Sequence, residues 1–465
     1  MHPYISKKAR LRRRTAGVIA AAALAVAGSS CASTEEILSV TDPDIINPID
    51  VASAAGANVV RIGALQRLNA ATSGGTSTDE GIFMLGGLFA DEWNNGDSFI
   101  ARQEIDQRII TIQNNFLTSA NRSLHRARLA ALQAIDLIRE YNPTGPAAEL
   151  AEMYFVEAYA ENIVAEHYCN GIVFGSVEDG EPVYGEPITV TETLQLALAH
   201  ADSGLALITG TTTADVRVRN ALRVIKGRIL INLNRPADAA TAVTGVPTNF
   251  AYQMLHSQTT RDNQIWSFNN SARRYSVSTG EGINGLNFAT ASDPRVPVCI
   301  GGDPTCRGIG VTSNVRDDLT QPIYVQRIWP TRDSPVTIVS GIEARMIEAE
   351  AQLRGGNPTT SLATLNTARG TVTGLAPLAD AGTEAARVDQ LFRERAFWLF
   401  STGHRTGDLR RLIRQYGRAA NSVFPTGAWH KAGNYGSDVT IPIPQAEQNN
   451  PNLPAGTNTC IDRVA

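Results

Sequence analysis

Apolar residues recur with a helical period over four long stretches: Val51 to Ala71, Leu117 to Tyr141, Pro146 to Tyr168 and Thr191 to Ile208. That spacing puts the apolar side chains on one face of a helix. Polar, glycine-containing segments such as SGGTSTDEG, Ser73 to Gly81, read as the loops between them. One pattern occurs twice. RVIKGRILINLNRPADAATAV, Arg223 to Val243, aligns without gaps on RMIEAEAQLRGGNPTTSLATL, Arg345 to Leu365. Each copy predicts a helix, a short turn and a second helix. Pro236 and Pro358 fall at the same place, where proline suits the first position of a helix. Gly227 matches Ala349 and Ala239 matches Ser361, the small residues that close helix packing requires. Paired helices of this size are the unit of a tetratricopeptide-type stack. A stack needs more than two units, so the other helices must complete it. Between the copies, residues 247–335 lose the helical period and become rich in Gly, Asn, Ser, Asp and aromatics. They predict a long irregular insertion with short strands, a kind of segment that usually carries function. The fold class expected is therefore mostly α, built of tetratricopeptide-like helix pairs interrupted by that insertion.

The first 30 residues have a different texture. Lys7, Lys8, Arg10, Arg12, Arg13 and Arg14 form a basic head, followed by the apolar run Ala16 to Gly28. That run is too short to span a bilayer, which takes roughly 20 residues. A basic head, a short apolar middle and small residues at the end describe an export signal over 1–30. Gly28-Ser29-Ser30 before Cys31 resembles a bacterial lipobox, with Gly28 where Leu is usual. Cys31 is thus the candidate lipidation site, and the polar segment 31–48 reads as a tether. Several buried acyl chains anchor firmly, at ~0.8 kcal/mol per CH₂. Without the six basic residues of the head, the formal charge falls from −4 to −10. An acidic chain with no basic tract excludes nucleic acid as a natural partner.

Export makes disulfides possible for Cys169, Cys299, Cys306 and Cys460. Sequence leaves three pairings open. Cys299 and Cys306 flank the turn-rich IGGDPT and form the expected local pair, worth roughly 2.5 kcal/mol on loop-closure grounds. Cys169 with Cys460 follows only by elimination. The spacings are not those of a zinc site, and no histidine lies near Cys299 or Cys306, so no metal is expected.

Past the second repeat copy comes ERAFWLFSTGHRTGDLRRL, Glu394 to Leu412, and near the end TIPIPQAEQNNPNL, Thr440 to Leu453. Glu394-Arg395, Gly403-His404-Arg405, Asp408-Leu409-Arg410-Arg411, Pro442-Ile443-Pro444, Glu447 and Asn450-Pro451 follow one another in an order that resembles the SusD/RagB family of outer-membrane nutrient-binding lipoproteins. Thr402 stands where that pattern usually has an acidic residue. The resemblance extends over 49–465, with 338–465 as the motif region, and implies a SusD-like α-α superhelix. It also implies a binding protein rather than an enzyme, lipid-anchored at the outer membrane and facing the exterior. The partner implied is a SusC-like TonB-dependent transporter, and the ligand an oligosaccharide or other polymer-derived molecule. No cofactor is implied.

The residues themselves support a structural reading of the motif. Val388, Leu391, Phe392, Ala396 and Leu399 form an apolar helical stripe that includes Trp398 in the core. Gly403 is placed to end that helix and Asp408 to cap the next. Glu394, Arg395, Arg405 and Asp408 are expected to pair among themselves, because an unpaired buried charge is costly. Pro442 and Pro444 hold an extended strap. For ligand contact, DEWNNGD offers Trp93, Asn94, Asn95 and Asp97, and the insertion offers Trp266, Arg273, Arg274, Tyr275 and Trp329. These combine rings for stacking with amides and charges for hydroxyls. The two groups are expected to converge on one face. Aromatics make up 6% of the chain, modest for a sugar binder, which leaves peptide ligands open. Two other classes compete: an assembly lipoprotein that binds only proteins, and a secreted hydrolase. Neither HExxH nor GxSxG nor a nucleotide loop is present.

If the thiol carries the anchor, Cys31→Ser should move the protein from the outer-membrane fraction to the periplasm or medium. Equal membrane association of both forms, with no labelled fatty acid on the parent, would refute lipidation.

Overall fold

A computed structural model describes residues 51–75, 80–178, 181–453 and 460–465. The expected signal 1–30, Cys31 and the tether 31–48 lie outside the described residues, as do 76–79 of the first loop. Among the described residues, twelve helices of seven residues or more carry the fold: α1 Ala54–Ser73, α2 Gly81–Phe89, α3 Ile100–Asp106, α4 Asn115–Tyr141, α5 Ala147–His167, α6 Val190–Leu207, α7 Thr213–Asn232, α8 Pro236–Val243, α9 Gly341–Arg354, α10 Pro358–Arg369, α11 Glu384–Trp398 and α12 Arg405–Tyr416. Their starts follow local chemistry. Ser53 caps α1 and Asn114 caps α4. Capping boxes open α6 (Thr189, Glu192) and α7 (Thr212, Asp215). None is long and apolar enough to cross a membrane among the described residues.

Helix α5 is the spine. Every residue from Ala151 to His167 is buried. Helices α4, α6 and α7 pack against it, and α1 lies along α4. The two repeat copies are the pairs α7–α8 and α9–α10, joined by contact of α8 with α9. Their turns match bond for bond. The backbone N–H of Leu233, Asn234 and Arg235 donates to Ile229, Ile231 and Leu230. The N–H of Gly355, Gly356 and Asn357 donates to the corresponding Ala351, Leu353 and Gln352. Asn234 and Gly356 both take the left-handed conformation, φ 62° and 76°, which only Gly and Asn adopt readily. Gly227 sits under α8, where an added Cβ would lie 2.5 Å from the Val243 side chain.

Among the described residues, ten short strands form five two-stranded antiparallel ladders: β1 Trp93–Asn95 with β7 Tyr275–Val277, β2 Ile172–Val173 with β5 Pro187–Ile188, β3 Ser176–Glu178 with β4 Glu181–Val183, β6 Ala251–Met254 with β10 Val336–Ser340, and β8 Val298–Ile300 with β9 Tyr324–Gln326. The β6–β10 ladder ties the two ends of the insertion together at its base. Inside it, Cys299 and Cys306 are bonded and form a small core with Val311, Ile323 and Val325. Cys169 is bonded to Cys460 across 291 residues of chain. Beside that link the strap from Thr440 is fixed: the Ile441 N–H donates to the His167 carbonyl, and the Cys169 N–H to the Ile441 carbonyl.

One expectation needs correction. Trp398 is half-buried rather than core, because it ends α11. Helix α2, GIFMLGGLF, was hidden in the sequence. All nine residues are buried, and a uniformly apolar run shows no period.

Candidate functional site

The turn between α11 and α12 fixes the site from below. Gly403 has φ +74°, and a Cβ there would meet the Phe83 ring at 2.8 Å, so the motif glycine makes a reversal against α2 that a side chain would block. Arg405 then opens α12 and clasps Asp91 with two bonds of 2.6 and 2.7 Å. The same Asp91 accepts the Leu286 N–H of the insertion at 2.8 Å. Glu92 accepts the Ser401 N–H at 2.7 Å, and its carbonyl accepts the Ser278 N–H. Two adjacent carboxylates thereby hold together the early segment, the insertion and the C-terminal motif.

The expected set of motif pairs is only partly realised. Arg395 does grip Asp408, at 2.8 and 2.9 Å. Glu394 pairs with Arg295 and Arg369 instead, both at 2.6 Å, and Arg405 with Asp91. Asp408 is not the cap of α12, since the helix begins at Arg405 and His404 precedes it. It lies within the first turn, where it also accepts from Arg411, which continues to Glu350. All these groups are buried, so pairing is what makes their burial tolerable. Burial pushes the Asp408 carboxyl up, but the guanidinium groups of Arg395 and Arg411 outweigh it and hold it well below the carboxylate range.

Above this layer the early loop and the insertion meet in the β1–β7 ladder: Trp93 faces Val277, Asn94 faces Ser276 and Asn95 faces Tyr275. The ladder brings the two candidate groups together and buries most of them. Trp93 is 0% exposed. Its indole N–H donates to Ser401 Oγ at 3.0 Å, and its ring packs on Phe400 and Tyr275. Asn94, Asn95, Asp97, Tyr275 and Trp329 are buried as well. Asn94 Oδ1 accepts from Arg316, Asp97 pairs with Arg102 and the Tyr275 hydroxyl donates to Glu80. Trp266 and Arg273 are half-buried. The Trp266 indole donates to the Pro330 carbonyl at 3.1 Å, and Arg273 to Ser313 Oγ and the Val315 carbonyl. These residues therefore build the floor of the face. As platforms for a ligand Trp93, Asn94, Asn95, Asp97, Tyr275 and Trp329 are corrected, because their rings and polar atoms point into protein.

Of what the floor presents to solvent, only Arg274 stood among the sequence candidates. Phe99 is 50% exposed and Ile100 73%, just past the DEWNNGD stretch. Arg102 and Arg274 place their guanidinium groups 5.1 and 5.4 Å from the Phe99 ring, and Arg274 has no ion pair among the described residues. The Asp317–Thr320 turn is bonded to Arg273 and Gly96 through the Asp317 and Asp318 N–H groups. It carries Leu319, 71% exposed. Lys431 crosses from the C-terminal segment to Asp318 at 2.6 Å and Asn95 Oδ1 at 2.8 Å. A half-exposed ring, a free guanidinium and apolar neighbours can stack on and hydrogen-bond a ligand. Beneath them Asp106, Glu281 and His430 cluster. Both His430 ring nitrogens face partners there, Asp106 at 2.7 Å and Arg316 at 3.4 Å. Burial, then the Asp106 charge, drives the Glu281 carboxyl well up.

No family model matches the chain, and no curated protein matches it. Solved structures do. A SusD superfamily protein from Bacteroides fragilis superposes with TM-score 0.63 at 15% identity, over 85% of this chain and 97% of that one. One from Parabacteroides distasonis gives 0.62 at 14% identity, over 87% and 99%. A SusD-like carbohydrate binding protein from Bacteroides vulgatus gives 0.54 at 12%, over 77% and 83%. The chain has the fold of these proteins.

The Glu92 carboxyl makes the chemistry of the floor measurable. Burial pushes its pKa up to about 8. A carboxyl that holds its proton more tightly when folded destabilises the fold as pH rises from about 4.5, its unfolded value, through about 8. Glu92→Gln, which carries no titrating proton, should flatten that decline and melt higher than the parent at pH 8. Parallel stability–pH curves for the two proteins would contradict this.

Proposed function

We propose that the chain is a SusD/RagB-type binding lipoprotein that captures an oligosaccharide and delivers it to a SusC-like TonB-dependent transporter. Cys31 would anchor it at the outer membrane with the Phe99 face turned to the exterior. One observation carries this reading: the likeness to SusD superfamily structures extends over 85% of this chain and 97% of the Bacteroides fragilis protein. The exposed rim supports it, since Phe99 offers a stacking ring and Arg274 free donors for hydroxyls. Energy for uptake would come through the transporter, so the chain itself needs no cofactor.

The test is a glycan array on the purified mature chain, followed by calorimetry on variants. Phe99→Ala and Arg274→Ala should each weaken the selected glycan about tenfold, roughly 1.4 kcal/mol, with unchanged melting. Trp93→Ala should instead lower stability by about 3–5 kcal/mol, as expected of a buried aromatic. Undiminished binding by both rim variants would move the site elsewhere. Absence of any bound glycan, together with no barrel protein co-purifying in mild detergent, would favour a protein-binding scaffold.

A further inference from the structure

Away from that face, α4, α5 and α6 enclose a second group of polar side chains: Glu157, Glu161 and His200. Glu157 and Glu161 stand one turn apart on α5, and His200 reaches them from α6. The three residues are not alike in their bonding. Glu161 is fully engaged: Oε1 accepts from Arg128 Nε at 2.8 Å, and Oε2 lies 2.9 Å from His200 Nδ1. That contact fixes the imidazole and turns Nε2 towards Glu157, whose Oε2 is 3.9 Å away. This is too far for a hydrogen bond. Glu157 is 1% exposed, yet its carboxylate receives no hydrogen bond among the described residues. A buried carboxylate without a donor is costly, and it is aimed at a ring nitrogen that also lacks a close partner.

We propose that Glu157 and His200 bind a divalent transition-metal ion of the zinc class, with Glu161 as the residue that positions the imidazole. Bonds of about 2.0–2.1 Å to nitrogen and oxygen separate the two ligand atoms by ~3.3 Å at a tetrahedral angle and ~4.1 Å in line. The observed 3.9 Å exceeds the tetrahedral spacing by about 0.6 Å, which a turn of the Glu157 carboxylate towards the ring would close. The carboxylate–imidazole contact through Nδ1 is the arrangement that orients metal-bound histidines and raises their basicity. One nitrogen and one carboxylate oxygen, with water completing the shell, suit a borderline ion rather than calcium or magnesium. The local charge agrees. Arg128 is paired with Glu161, so its positive charge is already balanced beside Glu157. Asp136 and Arg139 on α4 lie nearby, and Arg139 donates to the Tyr154 hydroxyl. The side chain of His200 is 20% exposed, which gives an ion a way in. Bound there, the ion would clip α6 to the α5 spine.

The purified mature chain, stripped with chelator, should be titrated with Co²⁺ at pH 7.5 and followed by visible absorption, then back-titrated with Zn²⁺. One Co²⁺ per chain, displaced by Zn²⁺, is expected. Glu157→Gln and His200→Ala should each weaken binding at least tenfold. Zn²⁺ should raise the melting temperature of the parent but not of Glu157→Gln, whose near-identical shape keeps the helix packing. No saturable Co²⁺ signal, or equal affinity in the parent and both variants, would overturn the proposal, leaving a protonated His200 as the link between the glutamates.

Discussion

The Asp91–Arg405 ion pair joins parts of the chain 314 residues apart, and the rest of the Phe99 face depends on it. Asp91 lies just after α2 and Arg405 at the first turn of α12. Because Asp91 also accepts the Leu286 N–H, the pair holds the insertion as well. Such a contact gains little over a hydrophobic alternative, since removing two charges from water is expensive. It is strict once made: leaving either partner alone would bury an uncompensated charge. A two-bond arginine–carboxylate clasp also fixes orientation, not merely distance. The motif thus sets the angle at which the C-terminal helices meet the early loop.

The geometry of the rim follows. With Asp91 and Glu92 held, β1 is placed for pairing with β7, and Trp93 fills the space under Ser401. Gly96 then comes within reach of Arg274 and Asp318. Only after these steps does the chain emerge with Phe99 and Ile100 exposed. The helical stack supplies a rigid base, and the mobile-looking composition of the insertion is disciplined by the β6–β10 ladder and the Cys299–Cys306 link. A face built on packed helices with locked side chains is better suited to holding a ligand in one pose than a free loop is.

Much of the helical frame was legible in the sequence, and for identifiable reasons. The period of α4 and α6 is visible because each buries a stripe over many turns, whereas α5, buried on every side, is legible by its length between Pro146 and Tyr168. The repeat is visible because Pro236 and Pro358 mark equal helix starts, although Asn234 and Gly356 hide an identical left-handed turn behind different letters. The motif charges were legible as buried pairs, but their partners were not. Asp91, Arg295, Arg369 and Glu350 come from elements that no local spacing connects to Glu394 or Arg405. The face itself was half legible. DEWNNGD and the insertion do converge, yet a tryptophan beside amides reads equally as platform or floor. Three-residue strands show no alternation from which to tell which side is buried. Phe99 carried no signal beyond its nearness to that stretch, and Lys431 carried none.

The account rests on the coupling between Asp91 and Arg405, which a double-mutant cycle measures directly. Unfolding free energies of Asp91→Asn, Arg405→Gln and the double variant should each be compared with the parent. Each single change should cost about 3–5 kcal/mol. The double should cost clearly less than their sum, giving a coupling of about 2 kcal/mol or more. Additive losses, with coupling near zero, would mean that the pair is incidental and that the face is held by packing alone.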